Sequence, residues 1–180
     1  MPKLADFLEF FKIIVVAVMI VAPIRYFLFQ PFLVRGASME PNFQQNNYLF
    51  VDELSYRFQE PKRGETIIFK PLGESSSPFI KRIIGLPGEE IEIKDGQIII
   101  TKNGEQQILD ESSYLPQNTY TPGSLKISLK ENEYLVLGDN RSNSSDSRMF
   151  GPLPRENIIG RVFLRVFPLT NFDKIEIPTY

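Results

Sequence analysis

A serine and a lysine are the residues of this chain whose types suit catalysis. The chain has 180 residues and contains neither histidine nor cysteine. A serine nucleophile therefore cannot be activated by a histidine, and cysteine nucleophiles and histidine-containing zinc sites are excluded. Ser38 lies in the segment GASMEP at positions 36–41, and Lys81 is the candidate base that could take its proton.

Lys81 lies in the segment FIKRII at positions 79–84, whose composition predicts a strand. Side chains alternate along a strand, so Lys81 shares a face with Phe79 and Ile83, while Arg82 points to the opposite face. Burial among apolar groups lowers a lysine pKa and would leave a neutral amine that accepts a proton near pH 7. Alternation alone favours the alternative, in which Lys81 extends from an edge strand into water.

A third segment, GDNRSNSSDSR at positions 138–148, is dense in hydrogen-bonding side chains and follows the predicted strand at 134–137. The spacing of an EF-hand calcium loop, with its central glycine and terminal glutamate, is absent. The segment is therefore either a solvated polar turn or a set of groups that orient a catalytic residue.

The charge composition indicates which classes of binding partner the chain is suited to. The chain has 20 basic and 22 acidic residues, a formal net charge of −2, and no run of five basic residues. This balance does not predict a nucleic-acid partner. No metal site and no cofactor are predicted.

An apolar stretch from Ile13 to Phe29, interrupted by Arg25, precedes these segments. At about 17 residues it reaches the lower bound for a helix that spans a bilayer, provided that Lys12 and Arg25 reach the two interfaces. A cleaved secretory signal and a buried core helix are the alternatives. Large Ile20 and the following Pro23 make a poor cleavage site around Ala22, which favours retention of the segment as an anchor.

The sequence after Pro31 changes to short alternating runs separated by Gly, Pro, Asn and Asp, which predicts a mainly β, antiparallel domain. Asp95-Gly96 and Asn103-Gly104 suit tight hairpin turns. Residues 110–128 are interpreted as a long irregular connection. The predicted domains are a stub and transmembrane anchor at 1–30 and a β-rich body at 31–180. The predicted strands are 32–35, 48–52, 65–70, 79–84, 90–94, 97–102, 133–137 and 158–167.

Three segments together resemble the conserved motifs of type I signal peptidases (leader peptidases): SMEP at 38–41, KRIIGLPGE at 81–89 and GDNRSNSSDSR at 138–148. RGE at 63–65 and GPLP at 151–154 also fit, and the resemblance extends from the apolar stretch to about residue 166. It implies a membrane-anchored serine endopeptidase with an antiparallel, barrel-like β-sheet domain and a Ser-Lys catalytic dyad.

The resemblance also implies roles for individual residues. Ser38 would attack the scissile carbonyl, Lys81 would take its proton, and Ser144 would hydrogen-bond the lysine and fix its position. Asp139, Asp146 and Arg148 match structural polar residues of the family. Because Arg82 faces away from Lys81, we further predict that Arg82 forms an ion pair with Asp139.

Substrates of the family carry small side chains one and three residues before the cut, as in A-x-A sites. The walls of the corresponding pockets are predicted at Phe32, Val34 and Ile80. One departure concerns Gly36, which stands where some bacterial members have a serine that donates to the oxyanion. The Ser38 backbone N–H, with a second amide or a water, would then stabilise the oxyanion.

The resemblance implies that preproteins and the lipid bilayer are the partners of this chain. It places the chain as a single-pass protein of a cell or thylakoid membrane, with its body on the extracytoplasmic (trans) side. Two other functions remain open from sequence. One is a self-cleaving Ser-Lys protease of the repressor type, against which the apolar stretch argues. The other is a membrane-tethered β domain that binds exported proteins without cutting them.

Overall fold

The computed structural model describes residues 4–27, 30–73 and 77–180. Antiparallel strands in two sheets are the main regular structure of the described chain from residue 30 onward. The strands are β1 (Gln30–Leu33), β2 (Tyr48–Asp52), β3 (Thr66–Phe69), β4 (Phe79–Gly85), β5 (Glu90–Lys94), β6 (Gln97–Lys102), β7 (Glu105–Ile108), β8 (Leu125–Ser128), β9 (Glu133–Leu137), β10 (Leu153–Pro154), β11 (Ile158–Phe167) and β12 (Asp173–Lys174).

The larger sheet has the order β1-β2-β11-β3-β4-β9-β10, with β12 added beside β11. Irregular pairing interrupts the ladders that β11 makes with β2 and β3, and the ladder between β4 and β9. Such irregularities bend and twist a sheet, which curls it. Backbone pairing among the described residues starts at β1 and ends at β10, so the barrel-like feature of the predicted fold is a curled sheet rather than a closed ladder.

The smaller sheet has the order β7-β6-β5-β8. Its two hairpin turns have positive φ at both central residues, 52° and 81° at Asp95-Gly96 and 53° and 86° at Asn103-Gly104. These angles are those of the type I′ turn that the two dipeptides predicted. The sheet packs against the larger one through a buried apolar cluster that includes Ile91 and Ile98 on one side and Ile84 and Leu135 on the other.

Helices are few in the described chain. Helix α1 spans Leu4–Phe27 and α2 spans Ser147–Phe150. Short 3₁₀ turns occur at Ser55–Arg57, Arg155–Asn157 and Leu169–Asn171.

The predicted anchor overlaps α1, and its last two residues, 28 and 29, lie outside the described residues. No helix among the described residues combines the length and the apolar character that a membrane span requires. The apolar side chains described on α1, from Phe7 to Met19, are exposed. The transmembrane anchor therefore stays a prediction.

Several predicted strands agree closely with the observed ones, and the differences are local. The predicted strand at 32–35 is observed two residues earlier, as β1. The region 110–128 is not wholly irregular as predicted, because β8 occupies its end and pairs with β5. Strand β7, the two-residue strands β10 and β12, and α2 were not predicted as elements.

Two further clusters support the strands that carry the candidate site. One lies beneath the turn around Ser38 and includes Val34, Met39, Phe43 and Ile80. The other includes Ile67, Ile83 and Val136, which come from β3, β4 and β9. Strand β4 thus lies between two paired neighbours and above a packed interior, which makes it a rigid support for Lys81.

Candidate active site

Ser38 lies on a turn that follows β1 and is held by its neighbours. The next residue, Met39, is only 1% exposed, and it packs with Phe43 in the cluster beneath the turn. Before the turn, Val34 donates its backbone N–H to Asn47 and accepts from the N–H of Asn46, both at 2.9 Å. The residues before and after Ser38 in the chain therefore hold the candidate nucleophile in place.

Asn140 clamps the same turn from the polar segment. Its backbone N–H donates to the carbonyl of Ser38 at 3.0 Å, and its side-chain amide donates to the carbonyl of Ala37 at 3.1 Å. No role for Asn140 was predicted from the sequence. Its position in the same polar segment as Ser144 was the available signal, but the contact joins residues about a hundred positions apart.

Lys81 meets Ser38 inside the protein. It lies on β4 and is 4% exposed, so the burial alternative holds and the extension into water does not. Its Nζ lies 2.8 Å from Ser38 Oγ and donates a hydrogen bond to the carbonyl of Ile80 at 2.9 Å. The ring of Phe79 lies 5.6 Å from the same nitrogen.

Burial shifts Lys81 toward the neutral amine relative to an exposed lysine. Burial lowers the pKa of Lys81 to about 8, although the carboxylates of Asp146 and Asp139 act in the opposite direction. A buried amine loses the hydration of its charged form, and distant carboxylates replace only part of it. A substantial fraction of Lys81 is thus deprotonated at mildly alkaline pH.

The opposite face of β4 carries the ion pair predicted between Arg82 and Asp139. The Nε of Arg82 donates to one oxygen of Asp139 at 2.8 Å and its Nη2 donates to the other at 2.6 Å. Both side chains are at most 3% exposed. The register explains the contact, because Arg82 pairs with Leu137 at the end of β9 and Asp139 follows two residues later.

Additional groups complete the surroundings of this pair. Asn42 donates its side-chain amide to Asp139 at 2.8 Å, and Arg82 donates to the carbonyl of Gly64 at 2.8 Å. The ring of Tyr114 lies 4.2 Å from the guanidinium carbon of Arg82. The charges are therefore satisfied on every side that the structure describes, as a buried ion pair requires.

Asp146 ties the polar segment back to β9 and to α2. It accepts from the backbone N–H of Gly138 at 3.0 Å and from Nε and Nη2 of Arg148, both at 2.8 Å. It also accepts weakly from the backbone N–H of Arg148 as the cap of α2. Burial raises the pKa of Asp146, but the bonds from Arg148 and Gly138 outweigh it and hold the pKa below the ordinary value.

Ser144 is close to the site without bonding to it. Its hydroxyl helps to lower the pKa of Asp146, yet it makes no hydrogen bond of good geometry with any described residue. A side chain at Gly138 would come within 2.2 Å of Ser144 Oγ and 2.4 Å of the Ser38 carbonyl. Glycine at 138 is thus what lets the polar segment approach the nucleophile turn. The bond from Ser144 to Lys81 is not formed in this structure, and the role of Ser144 stays a prediction.

A cleft of about 570 Å³ opens over Ser38 and Lys81. Two of the three predicted pocket residues, Phe32 and Ile80, line it. Val34 does not, because it is 1% exposed and belongs to the cluster beneath. The other lining residues are a mixture of apolar, small and polar types: Pro31, Leu33, Arg35, Gly36, Ala37, Ser77, Pro78, Phe79, Asn143 and Ser145.

The backbone around Gly36 shapes the mouth of this cleft. Gly36 has a φ of +84°, a conformation that favours glycine. The backbone N–H of Ser38 donates to none of the described residues. Within the described part of the chain, no group of acidic side chains is arranged to hold a metal ion. The arrangement offers a nucleophile, a neutral amine base and one free amide donor, which suits acyl transfer.

Comparisons with known proteins agree with this chemistry. The family model described as "Signal peptidase, peptidase S26" matches residues 7–167. A probable signal peptidase I-2 of Synechocystis sp. is 39% identical over 173 residues, which is 93% of this chain and 77% of that protein. Signal peptidase I T of Bacillus subtilis is 37% identical over 177 residues, which is 92% of this chain and 88% of that protein.

Other relatives extend the comparison. Signal peptidase I of Leptolyngbya laminosa is 36% identical over 178 residues, covering 95% of this chain and 85% of that protein. The crystal structure of a signal peptidase I from Enterococcus faecalis V583 aligns with a TM-score of 0.46 at 29% identity and covers 57% of this chain and 97% of that one. With a family match across most of its length, the chain belongs to the signal peptidase family, peptidase S26, and is a serine endopeptidase of the signal peptidase I type.

Proposed function

We propose that the chain cuts N-terminal signal peptides from exported preproteins, with Ser38 as the nucleophile and Lys81 as the general base. One observation carries the assignment of the two residues: a buried lysine Nζ lies 2.8 Å from a serine Oγ at the floor of a cleft. The distance suits direct proton transfer, and the lowered pKa of Lys81 supplies a neutral acceptor.

The first half of the reaction forms an acyl-enzyme. Ser38 Oγ attacks the carbonyl carbon of the scissile peptide bond while its proton passes to Lys81 Nζ. The tetrahedral intermediate collapses as the protonated Lys81 returns that proton to the nitrogen of the leaving mature chain. The C–N bond breaks, and the signal peptide remains attached to Ser38 as an ester.

Hydrolysis of the ester completes the cycle. A water molecule enters where the amine left and gives its proton to the neutral Lys81 as it attacks the ester carbon. When this second intermediate collapses, Lys81 returns the proton to Ser38 Oγ. The free signal peptide leaves with a carboxyl terminus, and the dyad is restored.

The backbone N–H of Ser38 is the donor best placed to stabilise the developing oxyanion. It has no partner among the described residues, so it is free to bond the oxyanion. Gly36 contributes no hydroxyl, and its open position leaves room for a water as the second donor.

Five polar residues hold the reacting groups in place without touching substrate. Arg82 and Asp139 fix β4 from behind, and Asp146 and Arg148 fix the polar segment against β9. We assign Ser144 the task of fixing the Lys81 amine once the substrate is bound. Such support keeps the amine and hydroxyl aligned, which acyl transfer requires.

The cleft selects small side chains one and three residues before the cut. Phe32 and Ile80 line the cleft together with Ser38 as apolar walls, and Val34 packs with them in the cluster beneath. Rigid apolar walls reject larger side chains through steric overlap, whereas a flexible pocket discriminates by only about 1 to 3 kcal/mol per methylene.

Residues 1–30 anchor the enzyme in a membrane, and residues 31–180 lie on its extracytoplasmic side. The support for the anchor is the 24-residue helix α1, whose described apolar side chains are exposed. Apolar side chains on an isolated helix find a favourable environment in lipid. The membrane is a cell membrane or a thylakoid membrane.

Cleavage of a preprotein tests the proposed function directly. The detergent-solubilised chain is expected to trim a preprotein that carries an A-x-A site and to release a mature chain beginning at the next residue. Mass spectrometry of both products checks the position of the cut. A matched preprotein with leucine at positions −1 and −3 should remain intact. Binding of both preproteins without any product would refute the proposal and favour a non-catalytic binding domain.

A pH profile of kcat/KM tests the role of Lys81. The amine must be neutral to accept the serine proton, so activity is expected to rise with pH and to level off above an apparent pKa of about 8. Measurements from pH 5 to 10 on one preprotein check this limb. An apparent pKa near 10, the value of an exposed lysine, would show that the base is not a buried lysine with a lowered pKa.

A further inference from the structure

Among the described residues that line the cleft over the dyad, one side chain besides Lys81 is charged. Arg35 is exposed and lines the cleft beside Gly36, Ala37 and Ser38. None of the described residues that line the cleft is an aspartate or a glutamate. The described lining residues therefore place a positive charge beside the dyad, close to the place where the peptide bond is cut.

The position of Arg35 is fixed by the fold. Its predecessor Val34 is buried and is bonded through its backbone N–H and carbonyl to residues 46–47. Arg35 is three residues from Ser38, so their Cα atoms are at most about 11 Å apart. The side chain of an arginine is long enough to reach across about two residues of an extended peptide. The guanidinium thus falls within reach of side chains that flank the scissile bond.

Arg35 has no acidic partner among the described residues, since no ion pair in that part of the chain includes it. A bound preprotein displaces water from the cleft and removes part of the hydration of the guanidinium. A carboxylate in the substrate would replace that hydration, whereas a basic side chain would add repulsion. A charged side chain of the substrate near Arg35 would therefore change the free energy of binding.

We propose that Arg35 selects preproteins with an acidic residue within two positions of the scissile bond and disfavours those with a basic residue there. The inference rests on the proposed function and adds a charge preference to the selection of small residues. An exposed or partly exposed ion pair supplies an expected preference of about three- to fivefold in kcat/KM.

Matched peptides measure this preference. Each contains one A-x-A site and carries Glu, Gln or Lys at position −2, +1 or +2, and the full chain is assayed in uncharged detergent at low salt. The wild type is expected to cut the Glu peptide three to five times faster than the Gln peptide at one or more of these positions, and the Lys peptide more slowly. The Glu/Gln ratio should fall as salt is added, because salt screens the pair.

Variants of Arg35 identify its contribution. Within each variant the readout is the ratio of kcat/KM values for paired peptides, so a general loss of activity cancels. Arg35→Gln should bring the Glu/Gln ratio to about one, and Arg35→Glu should invert the order of the Glu and Lys peptides. Arg57 is also exposed and lies outside the cleft, so Arg57→Gln should keep the wild-type ratio.

Two outcomes overturn the inference. A wild-type ratio near one at all three positions, with the Gln peptides still cut, would refute the charge preference while leaving the proposed function intact. An effect of Arg35→Gln that is equal for all peptides and occurs only with vesicles of anionic lipid would show that Arg35 binds lipid phosphate instead. Failure to cut any peptide would instead count against the proposed function.

Discussion

Replacing Ser38 with alanine or Lys81 with methionine is expected to lower kcat/KM for an A-x-A preprotein by about a thousandfold or more. Alanine removes the nucleophilic oxygen, and methionine keeps most of the lysine volume but removes the amine. General base catalysis alone contributes about 10²- to 10⁴-fold, and without the nucleophile no acyl-enzyme forms. Initial rates with a purified preprotein, followed by gel or mass spectrometry, check both variants.

The double variant separates a dyad from two independent residues. Because the amine and hydroxyl act as a unit at 2.8 Å, losing both should cost no more activity than losing one. Ser142→Ala and Lys94→Met are matched controls, since both side chains are exposed and neither lines the cleft. Activity retained by either single site variant would contradict the assignment.

The stability of the Lys81→Met variant tests whether Lys81 is buried with a lowered pKa. Burial lowers the pKa of Lys81 in the folded state to about 8, so the unfolded chain holds more protons between that pH and the ordinary lysine pKa. Below pH 8 the buried charge of Lys81 therefore lowers the free energy of unfolding of the wild type. This free energy should rise between pH 8 and about 10.5. Methionine removes the penalty, so at pH 7 the variant is expected to be more stable by roughly 2 to 3 kcal/mol. A fall in stability would mean that lost hydrogen bonds outweigh burial of the charge.

Most of the strands were predictable because their sequence signals, which are apolar alternation and turn residues, come from neighbouring positions in the chain. The hairpin between β5 and β6 combined apolar alternation with an Asp-Gly turn, and both strands have the predicted bounds. Strand β8 was placed in an irregular connection because its sequence, LKIS, is too short to show a pattern. It becomes a strand by pairing with β5. Pairing partners of this kind come from the tertiary fold, which local propensity does not contain.

The types of the residues in the candidate site could be predicted from the sequence, but only some of the contacts between them could. The absence of histidine left lysine as the candidate base for Ser38, and alternation placed Lys81 and Arg82 on opposite faces of β4. Val34 was assigned to the cleft from its position in the predicted strand at 32–35, but the observed strand ends at Leu33 and Val34 lies in the core. The clamp that Asn140 places on the Ser38 turn depends on loop geometry, for which the sequence offered no local signal.

A charge-removing substitution at Asp139 is expected to have the largest effect on stability. Asp139→Asn keeps the shape of the side chain but leaves the buried guanidinium of Arg82 without its carboxylate. Removing one partner of a buried ion pair costs about 3 to 5 kcal/mol, because the remaining charge has lost both water and partner. Urea unfolding of wild type and variant, monitored by circular dichroism, measures the loss.

The same variant should shift the pH profile in a defined direction. The carboxylate of Asp139 raises the pKa of Lys81, so its removal is expected to move the acidic limb of kcat/KM to lower pH, in the fraction of protein that stays folded. Asp95→Asn is a matched control, because Asp95 is an exposed turn residue and asparagine suits the same turn. A combined Arg82→Met and Asp139→Leu variant should recover part of the lost stability, since no buried charge remains. Unchanged unfolding free energy and activity in Asp139→Asn would show that the ion pair, although formed, does not support the catalytic strand.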